Sequence, residues 1–187
     1  MVGAILVQRT TWRNTSRAME NLKSAGKLSP RAIREAGDEE LQEIIRPAGF
    51  FRTKARKLRA LSEFLGERYS DSLEVMSELP DGELRDQLLS IYGVGDETAD
   101  DIMLYAFGRP SFVVDAYTRR IFGRLGLVDP KLKYADIQTV FQDRIPRDVA
   151  LYNEYHALIV VHGKDVCKTR PVCSECPLDS VCPKIGV

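Results

Sequence analysis

The segment FRTKARKLRALSEFLGERY (residues 51–69) constrains the fold most, because its apolar residues recur at the period of an α-helix. Five of them fall on one stripe: Ala55, Leu58, Leu61, Phe64 and Leu65. The basic residues are expected on the opposite face. Shorter segments with the same period recur along the chain, and no useful stretch alternates as a β-strand does; SFVV (111–114) is too short to carry a sheet. The sequence therefore predicts an all-α protein.

Helix boundary signals support this prediction. In SPRAIREAG, Ser29 is a candidate N-cap, Pro30 stands at the first helical position and Gly37 ends the helix. Asp38 is a candidate N-cap for the next helix. The apolar start MVGAILVQ resembles the interior of a buried helix rather than a signal peptide.

The size and charge of the chain exclude some classes of protein. Its 187 residues suffice for one sizeable core or two small lobes, and no apolar run approaches the roughly 20 residues of a membrane span. Net charge is zero, which disfavours indiscriminate coating of nucleic acid. The charges are segregated, however. Residues 52–59 hold five bases in eight, and residues 71–101 hold ten acids and one base. Each run is either a solvated helix face or part of a local functional surface.

A glycine hairpin joins two helical segments in LRDQLLSIYGVGDETADDIMLYAFG. Gly93 and Gly95 permit a tight turn, and Val94 can pack between the helices. Backbone N–H groups and the positive end of the following helix would bind one phosphate there. The alternative is an ordinary helix-terminating loop.

Four cysteines cluster near the C-terminus, with the spacing Cys167-x5-Cys173-x2-Cys176-x5-Cys182. In a chain without a secretion signal such a cluster more often holds metal than disulfides. Four nearby thiolates can ligate an iron–sulfur cluster. A structural zinc site typically pairs two CxxC-like turns, and the chain has one. Zinc, disulfides and free thiols remain alternatives.

The stretch YGVGDETADDIMLYAFGRPSFVVDAYTRRIFGRLG (92–126) resembles the helix-hairpin-helix and Gly/Pro/Asp signature of the endonuclease III superfamily of DNA glycosylases. The similarity continues through ILVQRTTW, IIRPAGFFRTKARKL and the cysteine cluster. It implies a barrel-like lobe over 1–110, with the hairpin motif at about 83–107, and a helical iron–sulfur lobe over 111–187. Met1 falls inside the family's first barrel helix, so the usual N-terminal helix of the second lobe is not expected.

The resemblance implies that Asp115 is the catalytic carboxylate. Breaking an N-glycosidic bond builds positive charge on the sugar, which a carboxylate can stabilise while activating water. From its position alone, Asp115 would be interpreted as the N-cap of AYTRRIF.

Glu97 stands where the bifunctional members of the family carry the lysine that attacks the sugar. Glutamate cannot form an imine. Together with Asp100, Glu97 resembles the monofunctional branch that includes 3-methyladenine DNA glycosylase III, which excises alkylated purines. Two alternatives stay open. One is an endonuclease III-like glycosylase/lyase that acts on oxidised pyrimidines or abasic sites with another lysine as nucleophile, and the other is a non-catalytic DNA-binding module.

The family's base pocket and DNA contacts map onto scattered positions. Gln8 matches the residue that enters the duplex, and Trp12 could stack on an extruded base or anchor the core. Phe50 lies in the family's wedge loop, or in the core. Lys54 is predicted to face the DNA backbone. Tyr117 replaces a histidine common after the catalytic Asp in endonuclease III and would shape the pocket.

By the same resemblance, the four cysteines hold a structural [4Fe-4S] cluster, although the first gap is more often six residues in the family. Lys164, Lys168 and Arg170 contact phosphates or form a solvated loop. His156 and His162 are interpreted as structural. The predicted partner is damaged double-stranded DNA, bound by a cytoplasmic, nucleoid-associated monomer without a membrane segment.

Overall fold

The computed structural model describes residues 1–187, and its regular secondary structure is entirely helical. Two 3₁₀ turns, Arg46–Ala48 and Cys173–Glu175, supplement eleven α-helices. The α-helices are α1 Val2–Leu6, α2 Trp12–Ser24, α3 Pro30–Glu35, α4 Asp38–Ile44, α5 Phe51–Tyr69, α6 Leu73–Ser77, α7 Asp81–Leu89, α8 Asp96–Phe107, α9 Ala116–Arg124, α10 Tyr134–Gln142 and α11 Val149–Asp165. The all-α prediction is confirmed. None of the helices has the length and apolar character needed to cross a membrane.

The boundary signals were mostly correct. Ser29 caps α3 by accepting a hydrogen bond from the Ala32 N–H, with Pro30 as the first helical residue. Asp38 is not an N-cap, because α4 already begins at that residue and Gly37 holds the capping position. Its carboxylate therefore lies in the first helical turn, where negative charge is favourable.

The chain divides into two compact units, Met1–Ile102 and Met103–Val187. The boundary falls inside the continuous helix α8, upstream of the predicted division at 110/111. The predicted roles of the two lobes remain predictions.

Lys54 lies on the buried face of α5, not on the solvent-facing side predicted from its charge. Four of the five expected apolar residues are buried and Phe64 is partly exposed, but Lys54 is buried on the same face and is only 2% exposed. Its ammonium donates hydrogen bonds to the carbonyls of Leu6 (2.9 Å) and Ala48 (2.8 Å). Position 54 lies one turn before Leu58, so the helical period itself places it on the inner face. This placement disfavours the predicted phosphate contact.

Burial also makes Lys54 pH-sensitive: desolvation, followed by repulsion from Lys57, lowers the pKa of Lys54 to about 8. The unfolded chain therefore binds more protons than the folded one above that pH. The stability of the wild type should rise relative to Lys54→Met by about 2 kcal/mol between pH 8 and pH 10. Urea unfolding across this range measures the difference, with the exposed-site variant Lys23→Met as control. A stability difference between the wild type and Lys54→Met that does not change with pH would contradict the lowered pKa of Lys54.

In the second unit, a buried extended segment leads into α9. Phe112, Val113 and Val114 are each at most 1% exposed. Side chains of α10 bond to its backbone: Gln138 Nε2 donates to the Phe112 carbonyl (2.8 Å), and the Val114 N–H donates to the Tyr134 hydroxyl (3.2 Å). These bonds satisfy two of the segment's buried backbone groups without a sheet, immediately before α9 begins.

Candidate active site

Asp115 stands at the junction between that buried segment and α9. It is the N-cap of the helix, and its Oδ1 accepts hydrogen bonds from the Thr118 N–H (2.7 Å) and the Thr118 hydroxyl (2.8 Å). The residue is only 8% exposed. The capping interpretation is therefore correct, but capping occupies one carboxylate oxygen and leaves Oδ2 for another role.

The second oxygen faces a histidine from α11. His156 Nε2 lies 3.7 Å from Asp115 Oδ2, and His156 Nδ1 lies 2.7 Å from the hydroxyl of Tyr105. The imidazole of His156 therefore adjoins the predicted catalytic carboxylate, and its interpretation as a structural residue remains a prediction. No local pattern could have revealed this contact, since the two residues lie on different helices far apart in sequence.

These neighbours set the ionisation of the site. Burial opposes the charged form of Asp115, but His156 and the two bonds from Thr118 outweigh burial, so the pKa of this carboxyl lies below its ordinary value. The group is a carboxylate at neutral pH. A buried, ionised carboxylate with one directed oxygen can accept a proton from water or stabilise adjacent positive charge.

The glycine hairpin forms a turn between α7 and α8. Gly93 adopts the left-handed conformation (φ 85°), and the Val94 N–H bonds to the Ile91 carbonyl (3.0 Å). The Val94 side chain is buried, as predicted. Because α8 begins immediately after Gly95, the partial positive charge of its N-terminus lies at the hairpin. The turn therefore has the backbone features of a phosphate site.

Gln8 forms a hydrogen bond to this hairpin, and Lys57 bonds to Gln8 while its aliphatic chain packs against Gly93. Gln8 Nε2 donates to the Gly93 carbonyl (3.1 Å) and to the Thr98 hydroxyl (2.9 Å), and Lys57 Nζ donates to Gln8 Oε1. A Cβ atom at Gly93 would collide with the aliphatic chain of Lys57, so this glycine is needed for packing as well as for its backbone angle. The sequence singled out Gln8 and Gly93, and missed Lys57.

The acidic residues after the hairpin have a structural role. Arg85 of α7 forms a bidentate pair with the fully buried carboxylate of Asp100 (2.9 and 3.0 Å) and also binds Asp96 (2.8 Å). This pairing joins the two helices that flank the hairpin and compensates the buried charge. Glu97, by contrast, lies on the exposed side of α8.

The predicted base-pocket aromatics differ in exposure. Trp12 at the start of α2 is 67% exposed, and Phe50, in a left-handed conformation before α5, is 62% exposed. Neither is a core residue, so the alternative interpretation of both is excluded. Tyr117 is half-buried: it packs against Gly163 of α11, and the guanidinium of Arg120 lies 5.0 Å from its ring centre.

The four cysteines are free, half-buried thiols that line one pocket together with Arg124. The Arg124 guanidinium donates to Cys167 Sγ (3.2 Å), and His162 Nε2 lies 3.6 Å from Cys176 Sγ. No three potential ligand side chains are close enough together to hold a metal ion between them. The structure thus brings the predicted cysteines to one place without forming a mononuclear site.

Two arginines of α9 form hydrogen bonds to the backbone of the loop that carries the first cysteine. Arg120 donates to the carbonyl of Cys167 (2.8 Å), and Arg124 donates to those of Lys168 (2.6 Å) and Thr169 (2.9 Å). The side chain of Lys168 is exposed, as are those of Lys164 and Arg170. The sequence offered no specific signal for either arginine.

Comparison with known proteins defines the class of the molecule. Residues 2–147 match the family described as HhH-GPD superfamily base excision DNA repair protein. The chain belongs to this superfamily, and it is a DNA repair glycosylase of the HhH-GPD class with a fold like that of endonuclease III.

Individual proteins of known class are similar to this chain in sequence or in structure. The chain is 46% identical to a Methanocaldococcus jannaschii protein named as a DNA repair glycosylase, over 97% of this chain and 83% of that protein. A non-covalent endonuclease III–DNA complex superposes with a TM-score of 0.82 at 26% identity, covering 98% and 81% of the two chains. The H. pylori 3-methyladenine DNA glycosylase bound to 1,N6-ethenoadenine gives a TM-score of 0.74 at 27% identity, covering 86% and 81%.

Proposed function

We propose that the protein is a monofunctional base-excision glycosylase that hydrolyses the N-glycosidic bond of alkylated purines in damaged double-stranded DNA, with Asp115 as the catalytic carboxylate. The observation that carries this proposal is the state of Asp115: buried, ionised, fixed through one oxygen and directed through the other. Such a group suits a reaction that develops positive charge on a sugar.

The preference for alkylated purines follows from the chemistry of the leaving group. An alkylated purine already carries positive charge, which weakens its bond to the sugar, so one carboxylate can suffice without a dedicated general acid. The similarity to a 3-methyladenine DNA glycosylase supports this preference. The exposed Trp12 ring offers a surface on which an extruded base can stack.

The hairpin is the proposed contact with DNA. The Gly93–Gly95 turn would bind one phosphate at the N-terminus of α8 through backbone N–H groups other than that of Val94, which donates to the Ile91 carbonyl. Such a site needs no basic side chain. The exposed bases Arg52 and Arg56 on α5 are better placed than Lys54 to meet the polyanion. Similarity to endonuclease III solved in complex with DNA supports DNA as the partner. Binding as a monomer is part of the proposal.

Cys167, Cys173, Cys176 and Cys182 are the proposed ligands of a [4Fe-4S] cluster. The donor set fits this group, because four free thiols line one pocket and an arginine adjoins the first sulfur, where its charge favours the thiolate. Each cysteine of such a cluster binds a different iron, so the sulfurs need not converge on a single point. When bound, the cluster would order a tail that has little core of its own.

Borohydride trapping tests the monofunctional assignment. The wild type should form no covalent adduct with abasic or lesion-bearing duplexes, because Glu97 cannot form the imine that borohydride reduces. Glu97→Lys, which restores the missing amine, is the gain-of-function comparison, and Glu97→Gln is the matched control that should remain negative. An adduct of wild-type protein at the yield of a bifunctional glycosylase would exclude the assignment.

A second candidate is an endonuclease III-like glycosylase/lyase that uses a different lysine. Lys57 is the specific reason to consider it: Lys57 lies at the hairpin, and burial, followed by repulsion from Arg9, lowers its pKa below the ordinary value. A trapped adduct that disappears in Lys57→Met would favour this candidate.

A further inference from the structure

His156 beside Asp115, and Tyr105 beside His156, have no part in the bond-breaking chemistry described so far. The hydroxyl of Tyr105 lies 2.7 Å from Nδ1 of His156, and the two rings are 5.9 Å apart. A tyrosine hydroxyl that donates to Nδ1 places the proton of a neutral imidazole on Nε2. Tyr105 can therefore select the tautomer of His156.

The selected proton would point at the reactive carboxylate. Nε2 of His156 lies 3.7 Å from Oδ2 of Asp115, while Oδ1 already accepts two hydrogen bonds from Thr118. The histidine side chain is 12% exposed, so water competes little for this contact. Such contacts are often long before substrate binds and shorten in the reacting complex.

We propose that His156, with its tautomer set by Tyr105, is a positioning residue that orients Oδ2 of Asp115 for attack on the sugar. The inference rests on the proposed catalytic role of Asp115 and deepens it. In this Tyr–His–Asp array, Tyr105 sets the tautomer of His156, and His156 orients the carboxylate of Asp115. Only Asp115 contacts the reacting atoms.

The proton and electron balance of the step leaves His156 unchanged. The oxygen of a water molecule bonds to the anomeric carbon, and the water's proton passes to Oδ2 of Asp115. The C–N bond breaks, and its electron pair leaves with the base. His156 neither gains nor loses a proton; its Nε2–H stabilises the orientation in which Oδ2 faces the water.

Two substitutions at one position separate positioning from packing. His156→Gln keeps an N–H donor at the place of Nε2, whereas His156→Asn keeps a polar group only at the place of Nδ1. In single-turnover base release from a 1,N6-ethenoadenine duplex, the asparagine variant should lose about 10- to 100-fold, as expected for one hydrogen bond to a charged group. The glutamine variant should stay within about threefold of the wild type, and both should bind the duplex and melt as the wild type does. Tyr105→Phe should lose a smaller factor.

Nitrogen-15 NMR gives a readout independent of activity. The chain has two histidines, so a His162→Gln sample assigns the signals of His156 directly. The wild type should show the Nε2–H tautomer, and Tyr105→Phe should show a mixture. A proton on Nδ1 in the wild type would overturn the inference, as would equal rate losses in the two His156 variants or no loss in either. If the wild type releases no base from any lesion, the proposed function fails. If the wild type releases base but the tautomer or the variant rates are those just named, only the role of His156 fails.

Discussion

Asp115→Asn should lower the single-turnover rate of base release by about 10²- to 10⁴-fold while leaving duplex affinity unchanged. The reason is that asparagine removes the charge but keeps the capping geometry. Its side-chain oxygen can still accept the Thr118 N–H bond that starts α9, and asparagine is as good an N-cap as aspartate. Rates and dissociation constants measured on the same lesion-bearing duplex separate catalysis from binding.

The chain contains a matched control for this substitution. Asp148 caps α11 in the same way, with its Oδ1 accepting the Leu151 N–H (2.7 Å). Asp148→Asn makes the same chemical change at another helix N-cap and should leave base release unchanged. If both variants lose activity equally, the effect of Asp115 is structural; if neither does, Asp115 is not the catalytic group.

Cys176→Ser should have the largest effect on the C-terminal loop. Cys176 lies in the pocket lined by all four cysteines, within 3.6 Å of His162 Nε2. If the proposed cluster is bound, loss of one thiolate should abolish the retention of iron and sulfide and the visible absorbance. The tail after α11 should then become sensitive to protease, because metal binding and folding of such a segment are coupled.

Ser174→Ala is the control for the cysteine variant, because Ser174 is exposed within the same 3₁₀ turn. This variant should retain iron and resist protease as the wild type does. Wild-type protein purified anaerobically with zinc instead of iron and sulfide would contradict the cluster assignment, and so would a Cys176→Ser protein that keeps a full complement of iron.

The sequence predicted the parts of the fold that depend on local signals. The all-α class follows from apolar periodicity, and the caps at Ser29 and Asp115 follow from residue type and position. The buried Val94 was predicted for the same reason, because a hairpin this short leaves its central side chain facing the flanking helices.

The rest depends on contacts between helices, which no local pattern encodes. The pairing of Asp115 with His156, of Gln8 with Lys57 and of Arg85 with Asp100 each joins residues brought together by folding. Among the acids after the hairpin, Asp100 is a buried partner of Arg85, a pairing that the sequence did not predict.

The prediction for Lys54 failed for a different reason, because the helical spacing in the sequence already indicated that this residue is buried. Its spacing from Leu58 and Leu61 places it on the buried stripe of α5, but its charge suggested a solvent-facing position. Two backbone carbonyls compensate the cost of burying the ammonium, and these acceptors come from α1 and the 3₁₀ turn, outside the helix itself.

The most direct test of the account is single-turnover reaction of the wild type with duplexes that each carry one lesion, analysed with and without hot alkali. We expect release of an alkylated purine base, with strand cleavage only after alkali, because hydrolysis through Asp115 leaves an intact abasic site. Strand cleavage without alkali would contradict monofunctional hydrolysis, and the absence of base release from every lesion would contradict catalysis by Asp115 altogether.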